Sequence, residues 1–168
     1  MHDSSMSRMS EFVQKYLDIK NELKILDVGS WQKEGQKSYR PLFISPNWKY
    51  YGLDLCKGNN IDFVSKGVYE WNLEPLFYDV IISGQCLEHV KDTKRWIEQV
   101  NKYLKVGGIV CIIAPWQWRY HRYPIDCWRI LPDGMEFLLK DVCNFDILEI
   151  FLKESDCVGI ARKTQQLI

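Results

Sequence analysis

The feature that most constrains the fold is a buried strand that leads into an acid and a glycine. The run Lys24–Ser30 reads Lys-Ile-Leu-Asp-Val-Gly-Ser, and a second run, Lys49–Leu53, leads in the same way to Asp54. Adjacent parallel strands end at the same edge of a sheet, which is where open α/β sheets bind ligands. The two acids, Asp27 and Asp54, therefore predict a nucleoside pocket with one carboxylate near the turn and the other near ribose hydroxyls. This arrangement favours a cofactor-dependent enzyme.

Strand and helix patterns alternate along the chain, which predicts an α/β fold with a mostly parallel, doubly wound sheet. The strand candidates are residues 24–28, 48–53, 61–64, 78–83, 109–114, 145–151 and 157–162. Helical patterns cover residues 10–20, 92–105 and 132–141. Ser10 is the expected cap of the first helix, Asp92 or Thr93 that of the second, and Gly107 and Gly108 are expected to end the second. The last two strands predict an antiparallel hairpin.

Charge, hydropathy and cysteine usage disfavour several function classes. The chain has 22 basic and 22 acidic side chains, so its net charge gives no sign of binding nucleic acid or an anionic membrane. No apolar run approaches a membrane span, and residues 1–10 lack the apolar core of a secretory signal. Six cysteines occur without a C-x-x-C pair. They predict reduced, buried thiols in a cytoplasmic protein, with a disulfide framework as the weaker alternative.

The turn after the first strand indicates which cofactor class fits. A dinucleotide site needs G-x-G-x-x-G so that the backbone can approach a pyrophosphate. Here the turn runs from Gly29 to Gly35, and Trp31 stands at the second glycine position. A bulky indole disfavours close approach of a diphosphate, so a cofactor without phosphate is the better match.

Several stretches, by their order and spacing, resemble the class I S-adenosylmethionine-dependent methyltransferases, especially the small type-11-like branch. They are Ile25–Ser30, Tyr51–Asp54, Tyr78–Ser83, Cys86–Val90 and Tyr103–Gly108. The resemblance extends from about residue 22 to residue 142. The later stretch His121–Pro132 also looks like this branch, and relatives with that stretch often belong to sugar and cell-surface polysaccharide pathways.

The resemblance implies S-adenosylmethionine as cofactor and a seven-stranded sheet in the order 3-2-1-4-5-7-6, with the last strand antiparallel. It implies a single domain, 1–168, with an N-terminal helical segment (1–21), a cofactor-binding core (22–114) and an acceptor-side loop, helix and hairpin (115–168). The implied cofactor contacts are Asp27, Gly29 and Ser30 at the methionine end, Trp31 beside them, Asp54 and Leu55 at the ribose, Lys66 and Gly67 near the adenine, and Ser83, Gly84 and Gln85 facing the methyl-transfer site.

The chain departs from the family pattern at two positions and in one length. Trp31 replaces a glycine of the turn, where it either weakens cofactor binding or walls the pocket. Lys66 stands where an acid is common after the third strand. Little chain separates Asp54 from Ile61, so the usual helix there is expected to be lost. Few residues remain for a lid, so the acceptor site is open or is completed by a partner subunit, and a homodimer stays an option.

Methyl transfer from a sulfonium is an in-line displacement in which the protein mainly positions the acceptor and excludes water. An alcohol or amine acceptor must also lose a proton, for which a base helps. The candidates are His89, His121 and Asp126. Each has a structural alternative: His89 packed with Glu88 in a turn, His121 bonded to its neighbours, and Asp126 paired with Arg129 to lock the loop. Asp27 and Asp54 likewise have the alternative of bracing a turn.

Aromatic and basic residues cluster after the fifth strand. The aromatic members are Trp116, Trp118, Tyr120, Tyr123 and Trp128. They are interpreted as a stacking platform for sugar rings, with core, an oligomer interface or base stacking as alternatives. Arg119, Arg122 and Arg129 add donors for a phosphate or carboxylate, which favours an anionic glycan or nucleotide-sugar acceptor.

These expectations combine into one predicted function and two alternatives. The predicted enzyme transfers a methyl group to a small-molecule or glycan acceptor at oxygen. The alternatives are a non-catalytic methyltransferase-like binding or scaffold protein, and a nucleic-acid methyltransferase, which the neutral charge disfavours. No metal is expected, because three histidines and scattered cysteines show no ligand spacing along the chain.

Overall fold

A computed structural model describes residues 3–165, which contain a seven-stranded sheet in the order β3-β2-β1-β4-β5-β7-β6. The strands are β1 (Leu23–Val28), β2 (Trp48–Asp54), β3 (Phe63–Val64), β4 (Tyr78–Gly84), β5 (Leu104–Pro115), β6 (Asp146–Lys153) and β7 (Asp156–Arg162). The first five run parallel, and β7 pairs antiparallel with both β5 and β6. The predicted fold class and strand order are confirmed.

The register brings the carboxyl ends of the central strands to one edge of the sheet. Asp27 of β1 lies beside Gly52 of β2 and beside Ile82 of β4. The strands β4 and β5 are buried at nearly every position over their second halves. Continuous apolar runs suit strands covered on both faces, which is why these segments carry no alternation.

Helices cover the two faces of the sheet. The helix α1 (Asp3–Tyr16) packs with Met9 and Phe12 against one face. The other face is covered by α2 (Thr93–Tyr103), by α3 (Pro132–Glu136) and by a π-helical segment that continues α3 over Phe137–Val142. Among residues 3–165, no helix combines the length and apolarity needed to cross a bilayer.

Two predicted helix boundaries are wrong, and the second has a physical explanation. The first helix begins at Asp3, so Ser10 lies inside it and does not cap it. The second helix ends at Tyr103 and the chain enters β5 directly, so Gly107 and Gly108 lie within a strand. Lys163 makes this ending possible. Its side chain is 1% exposed, and its Nζ donates to the backbone oxygens of Asn101 and Leu104, 2.5 and 3.1 Å away. A cation thus binds the carbonyls that a glycine cap would otherwise satisfy.

Other local predictions are confirmed in part. The Asp92 carboxylate accepts the Arg95 amide at 3.0 Å and caps α2 as expected. No helix forms between β2 and β3, in agreement with the short segment there. The six cysteines are free thiols. Three are buried as predicted, but Cys56 and Cys127 are exposed.

Candidate functional site

Asp27 lies at the end of β1 as a buried carboxylate with one oxygen still available. Its side chain is 1% exposed, and the Tyr50 hydroxyl donates to Oδ2. Oδ1 is buried and has no hydrogen-bond partner among the described residues. Burial, the largest influence, raises the pKa of Asp27 to about 7, and the nearby negative charge of Asp54 adds to the rise, while the Tyr50 hydrogen bond opposes it. Such an oxygen can accept a donor from a ligand.

The turn after β1 is folded tightly onto the neighbouring strands. Gly29 has a φ of +80°, and a Cβ built there would lie 2.5 Å from the Cys86 sulfur, so glycine is required. The amides of Gly29 and Ser30 both donate to the Leu53 oxygen, at 2.9 and 3.2 Å. The Ser30 carbonyl accepts the Asn60 side chain at 3.1 Å. The backbone N–H and C=O of Ser30 therefore both have partners within the protein.

Asp54 ends β2 and fixes the position of Trp31. Its two oxygens accept the amides of Trp31 and Leu55, at 2.9 and 2.7 Å. The indole lies against Gly58, where a Cβ would come within 2.7 Å of the ring, and its centroid is 6.4 Å from that of Tyr123. Trp31 thus spans from the loop after β2 to the loop after β5.

Three predicted cofactor contacts at the end of β4 have internal partners. The Ser83 hydroxyl donates to the Val28 oxygen at 2.7 Å and ties β4 to β1. Gly84 leaves space for Tyr39, whose hydroxyl would lie 2.0 Å from a Cβ at that position. The side-chain amide of Gln85 donates to the Asp156 carboxylate at 2.8 Å. These groups stabilise the edge of the sheet formed by the carboxyl ends of the strands, called the rim below, because the end of β4 is buried between β1 and β5.

The remaining predicted contacts lie in a turn after β3. The Lys66 amide donates to the Glu70 oxygen at 3.1 Å, and Gly67 forms an isolated bridge with the same residue. The backbone of this turn is thereby closed on itself.

Glu88 and His89 form part of a 3-10 turn that follows β4. Glu88 is fully buried, and neither of its carboxylate oxygens has a hydrogen-bond partner among the described residues. Burial raises the pKa of Glu88 to about 8. His89 donates from Nδ1 to the Ile125 oxygen at 2.5 Å, and its Nε2 lies 3.6 Å from Glu88 Oε1. Burial lowers the pKa of His89 below its usual value.

The loop between β5 and α3 is locked by an ion pair between Asp126 and Arg129. The guanidinium binds the carboxylate through two contacts of 2.6 and 2.8 Å. The same carboxylate accepts the His121 amide at 2.7 Å, and the His121 Nδ1 lies 3.3 Å from it. Arg129 holds the pKa of Asp126 well below its usual range. The geometry therefore favours the ion-pair interpretation over the predicted role of Asp126 as a base, and it uses Arg129 internally.

This loop is anchored on Glu88, which brings the two histidines together. The amides of Cys127 and Trp128 donate to the Glu88 carbonyl, at 2.8 and 3.2 Å. The rings of His89 and His121 lie 5.0 Å apart and nearly perpendicular. One ligand atom from each histidine and one from Glu88 lie within 4.8 Å of one another. The spacing of these residues along the chain gives no sign of the group. Glu88 and His121 do, however, follow β4 and β5, which are parallel neighbours, and this arrangement predicts that the two residues lie close together.

Most of the aromatic cluster is exposed. Trp118, Tyr120, Tyr123 and Trp128 are 37%, 72%, 56% and 44% exposed. Trp116 packs against the core, and its indole donates to the Glu154 oxygen at 2.8 Å. The core interpretation is thus wrong for four of the five residues, which present ring surface at the rim.

Comparisons with known proteins agree with this architecture. A family model described as a methyltransferase domain matches residues 2–138. The 1,6-didemethyltoxoflavin-N1-methyltransferase of Burkholderia thailandensis superposes with a TM-score of 0.74 at 16% identity, over 97% of this chain and 80% of that chain. A SAM-dependent methyltransferase from Aquifex aeolicus gives 0.68 at 15% identity, over 97% and 99%. One from Methanosarcina mazei gives 0.69 at 16% identity, over 90% and 96%. No curated protein matches the sequence.

Proposed function

The chain belongs to the methyltransferase domain family, whose methyl donor is S-adenosylmethionine, and from that premise we propose that it methylates a hydroxyl of a small-molecule or glycan acceptor. The observation that supports this proposal is that two pairs of polar residues lie at the same edge of the sheet. Asp27, the penultimate residue of β1, and Asp54, the last residue of β2, lie there on adjacent strands. His89 and His121 follow the next two strands, β4 and β5, at the same edge.

The residues present suit the cofactor. The unpaired Oδ1 of Asp27 is a buried acceptor for the ammonium of the methionine end. Asp54 is held by two backbone amides and keeps lone pairs for the ribose hydroxyls. Trp31, in place of a glycine, walls a pocket that needs no room for a diphosphate. When bound, S-adenosylmethionine supplies a methyl group already activated as a sulfonium.

Because the donor is activated, the chain's own contribution is to position the acceptor and to assist loss of its proton. The histidine pair, His89 and His121, is the group we assign to this task. Each ring has its Nδ1 directed to an oxygen of the protein. That arrangement leaves Nε2 of each ring to act on the acceptor hydroxyl.

The surface beside the histidines supports a glycan acceptor. The exposed rings of Trp118, Tyr120 and Tyr123 offer faces on which a sugar ring can stack. Arg119 and Arg122 in the same loop offer donors for a phosphate or carboxylate. These features support our proposal that the chain is a member of the small type-11-like branch with a role in sugar or polysaccharide metabolism. The exposed thiols of Cys56 and Cys127 favour the cytoplasm as its compartment.

Calorimetry with S-adenosylhomocysteine is the direct test. The wild type is expected to bind one equivalent, and Asp54→Ala is expected to weaken binding on the order of tenfold or more, the equivalent of about 1.4 kcal/mol. Asp146→Ala, an exposed acid at the start of β6, serves as the matched control. No heat of binding, or equal affinity for wild type and Asp54→Ala, would overturn the proposal.

The acceptor is then sought by mass spectrometry with a panel of nucleotide sugars and simple glycosides. A product heavier by one methyl group, with its methyl on oxygen, is the expected outcome. Binding of S-adenosylhomocysteine without turnover on any acceptor would support the non-catalytic alternative.

A further inference from the structure

We propose that Glu88, His89 and His121 form a binding site for one divalent transition-metal ion at the acceptor side of the rim. These three side chains come from two segments that the loop anchor holds together. Their ligand atoms lie within 4.8 Å of one another.

The distances approach those of a metal centre. Ligand atoms about 2.0–2.1 Å from a tetrahedral zinc ion lie about 3.4 Å from one another. His89 Nε2 and Glu88 Oε1 are already 3.6 Å apart. His121 belongs to a partly exposed loop, with 29% of its side chain accessible. Since the ligand atoms lie within 4.8 Å of one another, it needs to approach by at most about 1.4 Å to complete the set.

Both histidines are oriented as metal ligands usually are. A ligating histidine generally gives its other ring N–H to a carboxylate or a backbone carbonyl, which fixes the tautomer. His89 directs Nδ1 to the Ile125 carbonyl, 2.5 Å away. His121 directs Nδ1 to the Asp126 carboxylate and to the Arg119 carbonyl, both at 3.3 Å. A carbonyl oxygen can only accept, so Nε2 of His89 carries a lone pair toward the cluster.

The burial of Glu88 gives independent support for a metal site. Its carboxylate is fully buried, and both oxygens are without a hydrogen-bond partner among residues 3–165. A buried carboxyl group without a hydrogen-bond partner is costly, and such groups are usually paired or bound to a metal. A cation held between Glu88 and the two imidazoles would bind the unpartnered carboxylate oxygens and the unused lone pairs of the rings.

The donor set selects the class of metal. Two imidazoles and one carboxylate suit zinc and its first-row neighbours, whereas magnesium and calcium prefer all-oxygen sites. Three protein ligands also leave a coordination position open, as in catalytic metal sites. If the proposed function holds, that position would receive the acceptor hydroxyl, whose proton then leaves to solvent more readily because the metal lowers its pKa. Under this proposal Nε2 of each histidine binds the ion, so the histidines act on the acceptor through the ion in place of a direct contact with its hydroxyl.

The test is metal binding, measured without cofactor or acceptor. Untagged protein carrying Cys56→Ser and Cys127→Ser, which removes the exposed thiols, is stripped with a chelator and titrated with Zn²⁺, Co²⁺ and Mg²⁺ by calorimetry. One equivalent of Zn²⁺ or Co²⁺ is expected to bind, with weaker or no binding of Mg²⁺. Bound Co²⁺ should show the visible absorption of a four- or five-coordinate ion.

Three variants localise the ion. His121→Ala and Glu88→Gln are expected to abolish stoichiometric binding, and Asp126→Asn, which acts through His121, to weaken it on the order of tenfold. Tyr120→Ala, a 72% exposed neighbour in the same loop, is the matched control and should bind normally. His121→Ala keeps the test valid if Glu88→Gln does not fold. Absence of one-equivalent binding in the parent protein, or binding that persists in His121→Ala, would overturn the proposal.

Failure of this proposal can be told apart from failure of the proposed function. Methyl transfer that survives chelation, with no metal bound, removes the ion and keeps the enzyme. Metal binding that depends on His121, in a protein that does not bind S-adenosylhomocysteine, keeps the ion and removes the enzyme.

Discussion

Replacement of Asp27 by asparagine is expected to stabilise the protein at neutral and alkaline pH, and by less in acid. The side chain is 1% exposed, and burial raises its pKa from 3.8 to about 7. Because the folded-state pKa lies above the unfolded one, the folded chain holds this proton more tightly. The stability it contributes is complete below about pH 4 and is lost as the pH rises to about 7. At about 1.4 kcal/mol per pKa unit, the loss is about 4 kcal/mol.

Asparagine keeps an acceptor for the Tyr50 hydroxyl and carries no charge, so its stability lacks this dependence. We expect the difference in unfolding free energy, variant minus wild type, to increase by about 2.5 kcal/mol between about pH 5 and pH 8. Urea unfolding followed by circular dichroism at four or more pH values gives this difference directly. Tyr50→Phe removes the hydrogen bond that lowers the pKa of Asp27. It should therefore move the midpoint of the transition above pH 7. A difference that stays constant from pH 5 to pH 8 would refute the reasoning.

Three further substitutions test other parts of the structure. Gly29→Ala should destabilise by about 3 kcal/mol in urea unfolding, since it combines a φ of +80° with overlap on Cys86; Gly134→Ala, which has open space, is its control. Lys163→Met should lower the free energy of unfolding by about 2 kcal/mol, and with it the thermal midpoint, because it leaves two buried carbonyls without their donor. The thermal midpoint of the Lys140→Met control should not change. Arg129→Lys loses the two-point contact with its carboxylate, so hydrogen exchange in the loop after β5 should accelerate while exchange in β1 stays the same.

The strand order was predictable because the alternation of strands and helices leaves few topologies. The acids at the ends of β1 and β2 followed from the same pattern, since an apolar run and its terminal residue are both local signals. The boundary of α2 was not predictable from local signals. Lys163 is remote from Tyr103 in the chain, and only the fold brings its ammonium to the end of the helix.

The candidate site shows the same limit at the level of side chains. A position at a strand end fixes where a residue lies but not which partner it takes. Ser83 and Gln85 are at the rim as expected, yet their polar groups bind Val28 and Asp156. The strand ends predict that Glu88 and His121 lie at the same edge of the sheet, but their close grouping depends on two backbone hydrogen bonds that composition and spacing do not reveal.

The anchoring of the loop after β5 has a consequence for how acceptor preference can change. Two sets of contacts hold this loop in place: the Asp126–Arg129 ion pair and the hydrogen bonds from two loop amides to the Glu88 carbonyl. Neither set involves the exposed aromatic rings. The rings of Trp118, Tyr120 and Tyr123 are partly exposed to solvent, and the Tyr123 ring also lies 6.4 Å from that of Trp31. Substitutions at Tyr120, which is 72% exposed, should therefore leave the folded loop intact. The exposed surface of this loop can thus vary while its internal contacts stay in place, and a library randomised at Tyr120 should yield folded variants with altered acceptor ranges.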